Sequence, residues 1–239
     1  MAKSISRYFA PALAKRFSRF FDQEAEFSDL NKKRRLICLI AAAQAAFQPR
    51  ALSGLIAWAL DSRITVDEIY EVLLQGHLFC GYPRAIESFI VLKETLKDPN
   101  YLPSRETESI RRQNPNSLKL RGLSLARRIY GGNFDLVFRN IIGLSPELAE
   151  GMIAEGYGRI ISRGGLDIVS RELAIISGLT VTGMPRQLYS HIRGAINVGA
   201  KPRQIEAAVR QCRLFANAAF IRRALRTFEK SLGKRSSAK

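Results

Sequence analysis

Two ionisable side chains in one segment of the sequence have the types needed for proton-transfer chemistry. The segment Arg171–His191, RELAIISGLTVTGMPRQLYSH, carries Glu172 near its start and His191, one of the chain's two histidines, at its end. Burial raises the pKa of a carboxyl group and lowers that of an imidazole, which brings both towards neutrality. A buried Glu–His pair is therefore suited to general acid–base catalysis, although such pairs also occur as purely structural contacts.

Two helices joined by a short turn must position this pair. Glu172 is in line with Ile176 and Leu179 on an apolar helical stripe, and His191 lies on the apolar face of the following helix, so both are predicted to point inward. Counted from the turn at Met184, the two residues have an axial offset of about 7 Å at 1.5 Å per residue. We therefore expect a bridging water or ligand rather than direct contact.

The rest of the chain also has helical periodicity and helix-start signals. The sequence TVDE at Thr65–Glu68 is typical of a capping box, and proline follows Ser145, Met184 and Lys201, where the first turn of a helix tolerates it. The sequence contains no strong alternating strand pattern and no Asn-Gly or Asp-Gly hairpin turn. These features predict an all-α fold.

The chain also contains an internal repeat. A displacement of 136 positions keeps the apolar residues of the two halves in register, which predicts two copies of one helical unit at Asn31–Leu96 and Asp167–Leu232. The predicted domains are residues 1–117, with an N-terminal arm, the first copy and a connector at Lys97–Ser117, and residues 118–239, with the second copy and a basic tail.

The two copies differ where chemistry is expected. His191 corresponds to Leu55 of the first copy, and Glu172 corresponds to Leu36. The candidate site therefore belongs to the second copy, and the first copy is expected to act as its packing partner.

Composition narrows the function classes. The longest nearly uncharged apolar run, Leu36–Phe47, is too short to cross a bilayer. The three cysteines, Cys38, Cys80 and Cys212, are odd in number and widely spaced, which argues against a disulfide framework and for a reducing compartment.

No cluster of Cys, His and acidic residues has metal-ligand spacing, so we expect no metal site. The formal net charge of +17 favours anionic partners, but no nucleic-acid-binding motif accompanies it, so we expect no specific nucleic-acid binding.

The N-terminal segment MAKSISRYFAPALAKRFSRFF is a basic amphipathic helix that contains no acid. It is similar to an organellar transit peptide or a membrane-surface helix, and an arm packed on the protein body or on a sister subunit has the same pattern. We expect a cytoplasmic protein, with organellar import left open.

The second copy resembles the carboxymuconolactone decarboxylase / alkylhydroperoxidase D superfamily. The resemblance covers Leu144–Val209 and is most evident in YGRIISRGGLD, REL and HIRGAINVGA, while Ala57–Ser88 in the first copy resembles the same domain more faintly. The resemblance implies tandem alkylhydroperoxidase D-like helical bundle units without a cofactor. It also implies a homo-oligomer, a trimer first and a dimer next.

The superfamily includes peroxidases and decarboxylases, and the residues at the motif positions of this sequence favour the decarboxylases. The peroxidase-like members carry Glu, then Cys-x-x-Cys, then His; Glu172 and His191 match this order, but Met184 and Gln187 stand at the two cysteine positions. Neither a thioether nor an amide can exchange a disulfide, so the family's peroxidase route is not expected.

The decarboxylase-like members act without those cysteines on a small carboxylated lactone. By this resemblance His191 is the proton donor and Glu172 its partner, and a cationic group must anchor the carboxylate of a small anionic substrate. The candidates for substrate binding are Arg193, Asn197, Arg163 and Arg171. Each of these arginines could instead be a solvated charge or a partner in a structural ion pair.

Two other functions stay open at this stage. A non-catalytic oligomeric scaffold or binding protein would keep the fold and lose the chemistry, and a packed interior around the pair would favour it. A thiol peroxidase would require one of the three cysteines to meet another thiol in space.

Overall fold

The computed structural model describes residues 5–21, 27–97 and 114–233. The described part of the chain is helical and contains no strand, which confirms the predicted all-α fold. The α-helices before the connector are α1 Pro11–Phe21, α2 Lys32–Ala45, α3 Pro49–Asp61, α4 Val66–Cys80 and α5 Tyr82–Leu96. Most of the predicted connector lies outside the described residues.

The α-helices after the connector are α6 Pro115–Tyr130, α7 Phe134–Ile142, α8 Pro146–Gly151, α9 Ile168–Thr182, α10 Pro185–Asn197, α11 Pro202–Gln211 and α12 Ala218–Ser231. A π-helix at Met152–Ile161 follows α8 directly, and short 3-10 turns lie at Gly131–Asn133 and Cys212–Leu214.

The helix starts reproduce the internal repeat. Helices α2 to α5 begin at residues 32, 49, 66 and 82, and α9 to α12 begin at 168, 185, 202 and 218, a constant displacement of 136. The tandem arrangement of two helical units is thereby confirmed. The division at residues 117 and 118 stays a prediction, although α6 begins at Pro115, within the predicted connector.

Local capping explains where these helices start and stop. Thr65 and Glu68 form the predicted capping box at α4, each side chain bonding the other's backbone N–H. Asp167 accepts a hydrogen bond from the backbone N–H of Ser170 and so caps α9. Gly183 ends α9 with a φ of 71°, a left-handed conformation that glycine adopts without steric cost.

The core is centred on α2 and α9, the two repeat-related helices, which pack against each other. Residues 35–45 of α2 and residues 170–181 of α9 are buried without interruption. A helix that is apolar on all sides must be enclosed by other elements. Both helices therefore belong to one shared core, and any polar side chain on α9 needs a partner inside the protein.

The N-terminal arm packs on the protein body. Phe17, Phe20 and Phe21 of α1 are buried, and the ring of Phe17 stacks on that of Phe9 with centroids 4.4 Å apart. Arg16 donates a hydrogen bond to the backbone carbonyl of Leu214. The apolar stripe of this segment is thus used within the chain.

Among the described residues, no helix combines the length and apolar character needed to cross a membrane.

Candidate functional site

The acid and the imidazole singled out in the sequence are in direct contact. Nδ1 of His191 lies 2.9 Å from Oε2 of Glu172. The expectation of a bridging water or ligand is therefore wrong. The two side chains, one from each arm of the α9–α10 hairpin, together span the axial offset that separates their backbones.

The pair is almost completely shielded from solvent. Glu172 is 0% exposed and His191 is 4% exposed. The ring of Phe79, from α4 of the first unit, stands edge-on to the imidazole, with centroids 5.1 Å apart and planes at 86°. The first unit thus covers the candidate site of the second, as the repeat asymmetry predicts.

A glycine allows the backbone of α10 to approach the carboxylate. A Cβ atom at Gly194 would lie 3.5 Å from Oε2 of Glu172 and only 2.6 Å from Cγ2 of Ile129 on α6. Such a contact is shorter than side chains tolerate, so no larger residue fits here without displacement of α6. Glycine is unfavourable in the middle of a helix, so its presence at position 194 was the signal in the sequence that another element packs closely against α10.

Two buried tyrosines lie within electrostatic reach of Glu172. The hydroxyl of Tyr157, on the π-helix, donates a hydrogen bond of 2.8 Å to the hydroxyl of Tyr130 on α6. Burial raises the pKa of Tyr130 to about 12 and that of Tyr157 well above its usual range, and the charge of Glu172 adds to both shifts. Both phenols are therefore neutral at physiological pH.

The contact fixes how the imidazole can act. A carboxylate only accepts hydrogen bonds, so Nδ1 is the nitrogen that donates to Glu172. Nε2 makes no hydrogen bond to any residue within the described ranges, and Oε1 of Glu172 is buried without such a partner there. The arrangement is that of a carboxylate-oriented histidine whose outer nitrogen is left for proton transfer.

Two of the candidate substrate-binding arginines occupy a buried ion cluster instead. Glu71, on α4, accepts from Nη2 of Arg171 at 2.8 Å and pairs with Nη2 of Arg163 at 2.8 Å. Gln75, one turn later, accepts from Nη1 of Arg171 at 3.1 Å. The ion-pair alternative for these arginines is therefore realised, with partners on the first unit.

Glu71 and Gln75 were not identified from the sequence. The available signal was that Glu71 stands beside Ile69, Val72 and Leu73, three residues that are buried in the structure. A carboxylate among core residues requires a buried counter-charge.

The remaining candidates, Arg193 and Asn197, are exposed and are not brought together with the pair. Nη1 of Arg193 donates to the backbone carbonyl of Ser231 at the end of α12. Nδ2 of Asn197 donates to the backbone carbonyl of Ile129 at 2.8 Å. Each side chain thus joins α10 to a neighbouring helix.

The cysteines do not reproduce a peroxidase site. All three are free thiols, and Cys38 and Cys212 are fully buried near Ser177. Burial raises the pKa of Cys38 to about 12, that of Cys80 to about 11 and that of Cys212 further still. None of them is a thiolate at neutral pH, which is the form that attacks peroxide.

Within the described ranges, no three His, Cys, Asp or Glu side chains are grouped so as to hold a metal ion.

Comparison with known proteins gives both a family and named relatives. The model of the carboxymuconolactone decarboxylase family matches residues 11–94 and 146–230. Peroxisomal protein 2 of Saccharomyces cerevisiae is 28% identical over 160 residues, which are 57% of this chain and 56% of that protein. Peroxisomal protein 2 of Schizosaccharomyces pombe is 27% identical over 178 residues, 72% of this chain and 80% of that protein. The match thus spans little more than half the length of the Saccharomyces relative.

The two matched regions contain nearly all of the two repeat-related sets of helices and together cover more than half of the 239 residues. The chain belongs to the carboxymuconolactone decarboxylase family.

Proposed function

We propose that this protein is a cofactor-free lyase that acts on a small carboxylated, lactone-type substrate by general acid–base catalysis. The observation that carries the proposal is the 2.9 Å contact between Nδ1 of His191 and Oε2 of Glu172. It orients the imidazole, while Nε2 is left to exchange a proton with substrate.

The chemistry requires few groups. Breaking the carbon–carbon bond to a carboxylate releases carbon dioxide and leaves the bonding electron pair on the substrate as a dienolate. Nε2 of protonated His191 then donates a proton to carbon, and the imidazole regains a proton from solvent. Glu172 balances the positive charge of the imidazolium before this transfer, so it is a positioning residue for His191.

A specific observation favours a second candidate, a non-catalytic binding or scaffold protein. The pair is 0% and 4% exposed, and the crevice beside Phe79 has a volume of about 10 Å³. That space is at most enough for one water molecule. A lyase would have to open this region, by movement of α4 or of Phe79, before substrate reached Nε2.

Release of carbon dioxide from carboxymuconolactone separates the two candidates. The protein and its His191→Ala and His77→Ala variants are compared, since His77 is the chain's other histidine and bonds only the carbonyl of Leu74 among the described residues. The lyase proposal expects turnover that His191→Ala abolishes with the helical circular dichroism intact and that His77→Ala retains. Equal turnover in His191→Ala would remove His191 from the mechanism, and absence of turnover in the unmodified protein would favour the binding candidate.

Location and assembly are further parts of the proposal. Both relatives are named as peroxisomal, which favours an organelle over the expected cytoplasmic location. Coincidence of a fluorescent fusion with a peroxisomal marker tests this. Self-association is supported by an exposed apolar stripe on α5 formed by Tyr82, Ile86 and Ile90, and a trimer is the assembly that we propose.

A further inference from the structure

The solvent-facing sides of α10 and α12 carry a cluster of exposed basic residues, called the basic face below. Its members are Arg186 and Arg193 on α10 and Arg222, Arg223, Arg226 and Lys230 on α12. The same two helices contain one acidic residue, Glu229. Six positive charges therefore stand against one negative charge on this part of the surface.

Contacts at both ends of the two helices bring these residues onto one surface. A Cβ atom at Gly183, just before α10, would lie 2.8 Å from Cε2 of Phe220, near the start of α12. Nη1 of Arg193 donates to the backbone carbonyl of Ser231, at the end of α12, at 3.2 Å. The helices thus lie side by side and run in the same direction, so their exposed sides are adjacent over about 20 Å, the length of α10 at 1.5 Å per residue.

The charges of the basic face are not compensated within the described part of the chain. None of its six members forms an ion pair with a described residue. Arg222, Arg226 and Lys230 also follow one another at a spacing of four residues, where like charges repel along a helix. Elsewhere Arg159 and Arg210 each pair with a glutamate four residues earlier. A partner with many negative charges would relieve the repulsion on α12.

Exposed apolar side chains accompany the cations on α10. Tyr189, between Arg186 and Arg193 on the same side of the helix, is 37% exposed, and Met184, just before the helix, is 51% exposed. A lipid surface accommodates both kinds of side chain, because its headgroups attract cations and its interfacial layer accepts tyrosine and other apolar groups.

Nucleic acids match this combination less well. Double-stranded DNA offers phosphates but no apolar layer, and single strands are held on several aromatic side chains in succession. Among the exposed residues described on α10 and α12, Tyr189 is the one aromatic residue. The mixture of cations with Tyr189 and Met184 therefore favours a bilayer over a nucleic acid.

We propose that the basic face binds the surface of a lipid bilayer that contains anionic headgroups, with its cations at the headgroups and Tyr189 in the interfacial layer. His191 lies on the opposite, buried side of α10. Binding through the basic face therefore does not depend on the proposed lyase activity.

Sedimentation of the full chain with vesicles tests the proposal. Vesicles of phosphatidylcholine alone are compared with vesicles of equal parts phosphatidylcholine and phosphatidylserine. We expect binding to the anionic vesicles that is at least about tenfold tighter and that weakens as salt is added. Equal binding to both kinds of vesicle would overturn the proposal. So would tighter binding to a double-stranded DNA oligonucleotide or to polyglutamate, because either would assign the basic face to another class of partner.

A triple variant locates the binding surface. Arg222→Ala/Arg226→Ala/Lys230→Ala should weaken binding to the anionic vesicles about a hundredfold, because each basic residue near such a surface raises affinity about fivefold. Alanine favours the helical state, so circular dichroism should show α12 intact.

A second triple variant is the matched control for net charge. Arg50→Ala/Lys93→Ala/Arg139→Ala removes three charges from exposed positions on α3, α5 and α7, and it should weaken binding less than about threefold. An equal loss in the two triple variants would mean that net charge alone attracts the vesicles, and would overturn the assignment to the basic face.

Single variants test the orientation and the independence of the surface. Tyr189→Ser should weaken vesicle binding several-fold more than Leu120→Ser, which changes an exposed apolar residue on α6. Equal affinities of these two variants would overturn the placement of α10 in the interfacial layer. His191→Ala should bind the vesicles as the unmodified protein does, whether or not it has lost turnover, and loss of binding in folded His191→Ala would contradict the independence of the two surfaces.

Discussion

Phe79 of the first helical unit stands edge-on to the imidazole of His191 in the second, with ring centroids 5.1 Å apart. The first unit lacks the Glu and His of the second, but it supplies one wall of the enclosure around them. The first copy therefore has a structural role although it lacks the pair, because it shields the pair of the second copy from solvent. Five predictions follow from the contacts and exposures described above.

Glu172→Gln should lower turnover on carboxymuconolactone about a hundredfold while the helical content is preserved. The amide keeps the size of the carboxylate, but it removes the negative charge beside the imidazole that must carry the proton. Steady-state rates across pH 5 to 9 check this, with Glu206→Gln, in an exposed pair with Arg210, as the control. Turnover equal to that of the control would show that His191 needs no carboxylate partner.

Glu71→Gln should reduce the free energy of unfolding by about 3–5 kcal/mol, because it removes the buried carboxylate charge that pairs with Arg163 and Arg171. Urea denaturation measures the change. Glu206→Gln, whose side chain and partner are both more than a third exposed, should cost less than about 1 kcal/mol. A similar small loss for both variants would mean that solvent compensates the buried arginines.

Gly194→Ala should destabilise the protein by about 1–3 kcal/mol, since the added Cβ would lie 2.6 Å from Cγ2 of Ile129. Gly151→Ala is the control: that helical glycine has nothing within 4 Å of an added Cβ, so alanine should be neutral or stabilising there. Thermal unfolding of the two variants gives the comparison. Equal melting temperatures would show that α6 and α10 separate at little cost.

The thiols should react slowly with a disulfide reagent in the folded protein at pH 8. With a pKa of about 11, Cys80 is a thiolate in only about one molecule in a thousand at this pH, and its rate should rise as pH approaches 11. Cys38 and Cys212 should react only after unfolding in urea, because both are fully buried. Rapid reaction of two thiols in the folded protein would reopen the peroxidase hypothesis.

Ile86→Glu should shift the protein from trimer towards monomer, because it places a charge in the middle of the exposed apolar stripe on α5. Light scattering coupled to size-exclusion chromatography measures the mass. Leu144→Glu, at a more exposed leucine between α7 and α8, is the control and should leave the trimer intact. A monomeric unmodified protein, or equal masses for both variants, would exclude α5 as the interface.

The sequence by itself determined that Glu172 and His191 point inward and that one helical unit occurs twice. The inward position of Glu172 and His191 follows from a period of 3.6 residues, and the displacement of 136 residues follows from the apolar pattern, because both are recorded in local spacing. Only the tertiary structure decided which inward groups meet. Arg171 is 100 residues from Glu71 along the chain, and their contact depends on how α4 packs on α9. A helical pattern specifies a buried face, but the partner of that face is chosen by the packing of the whole core.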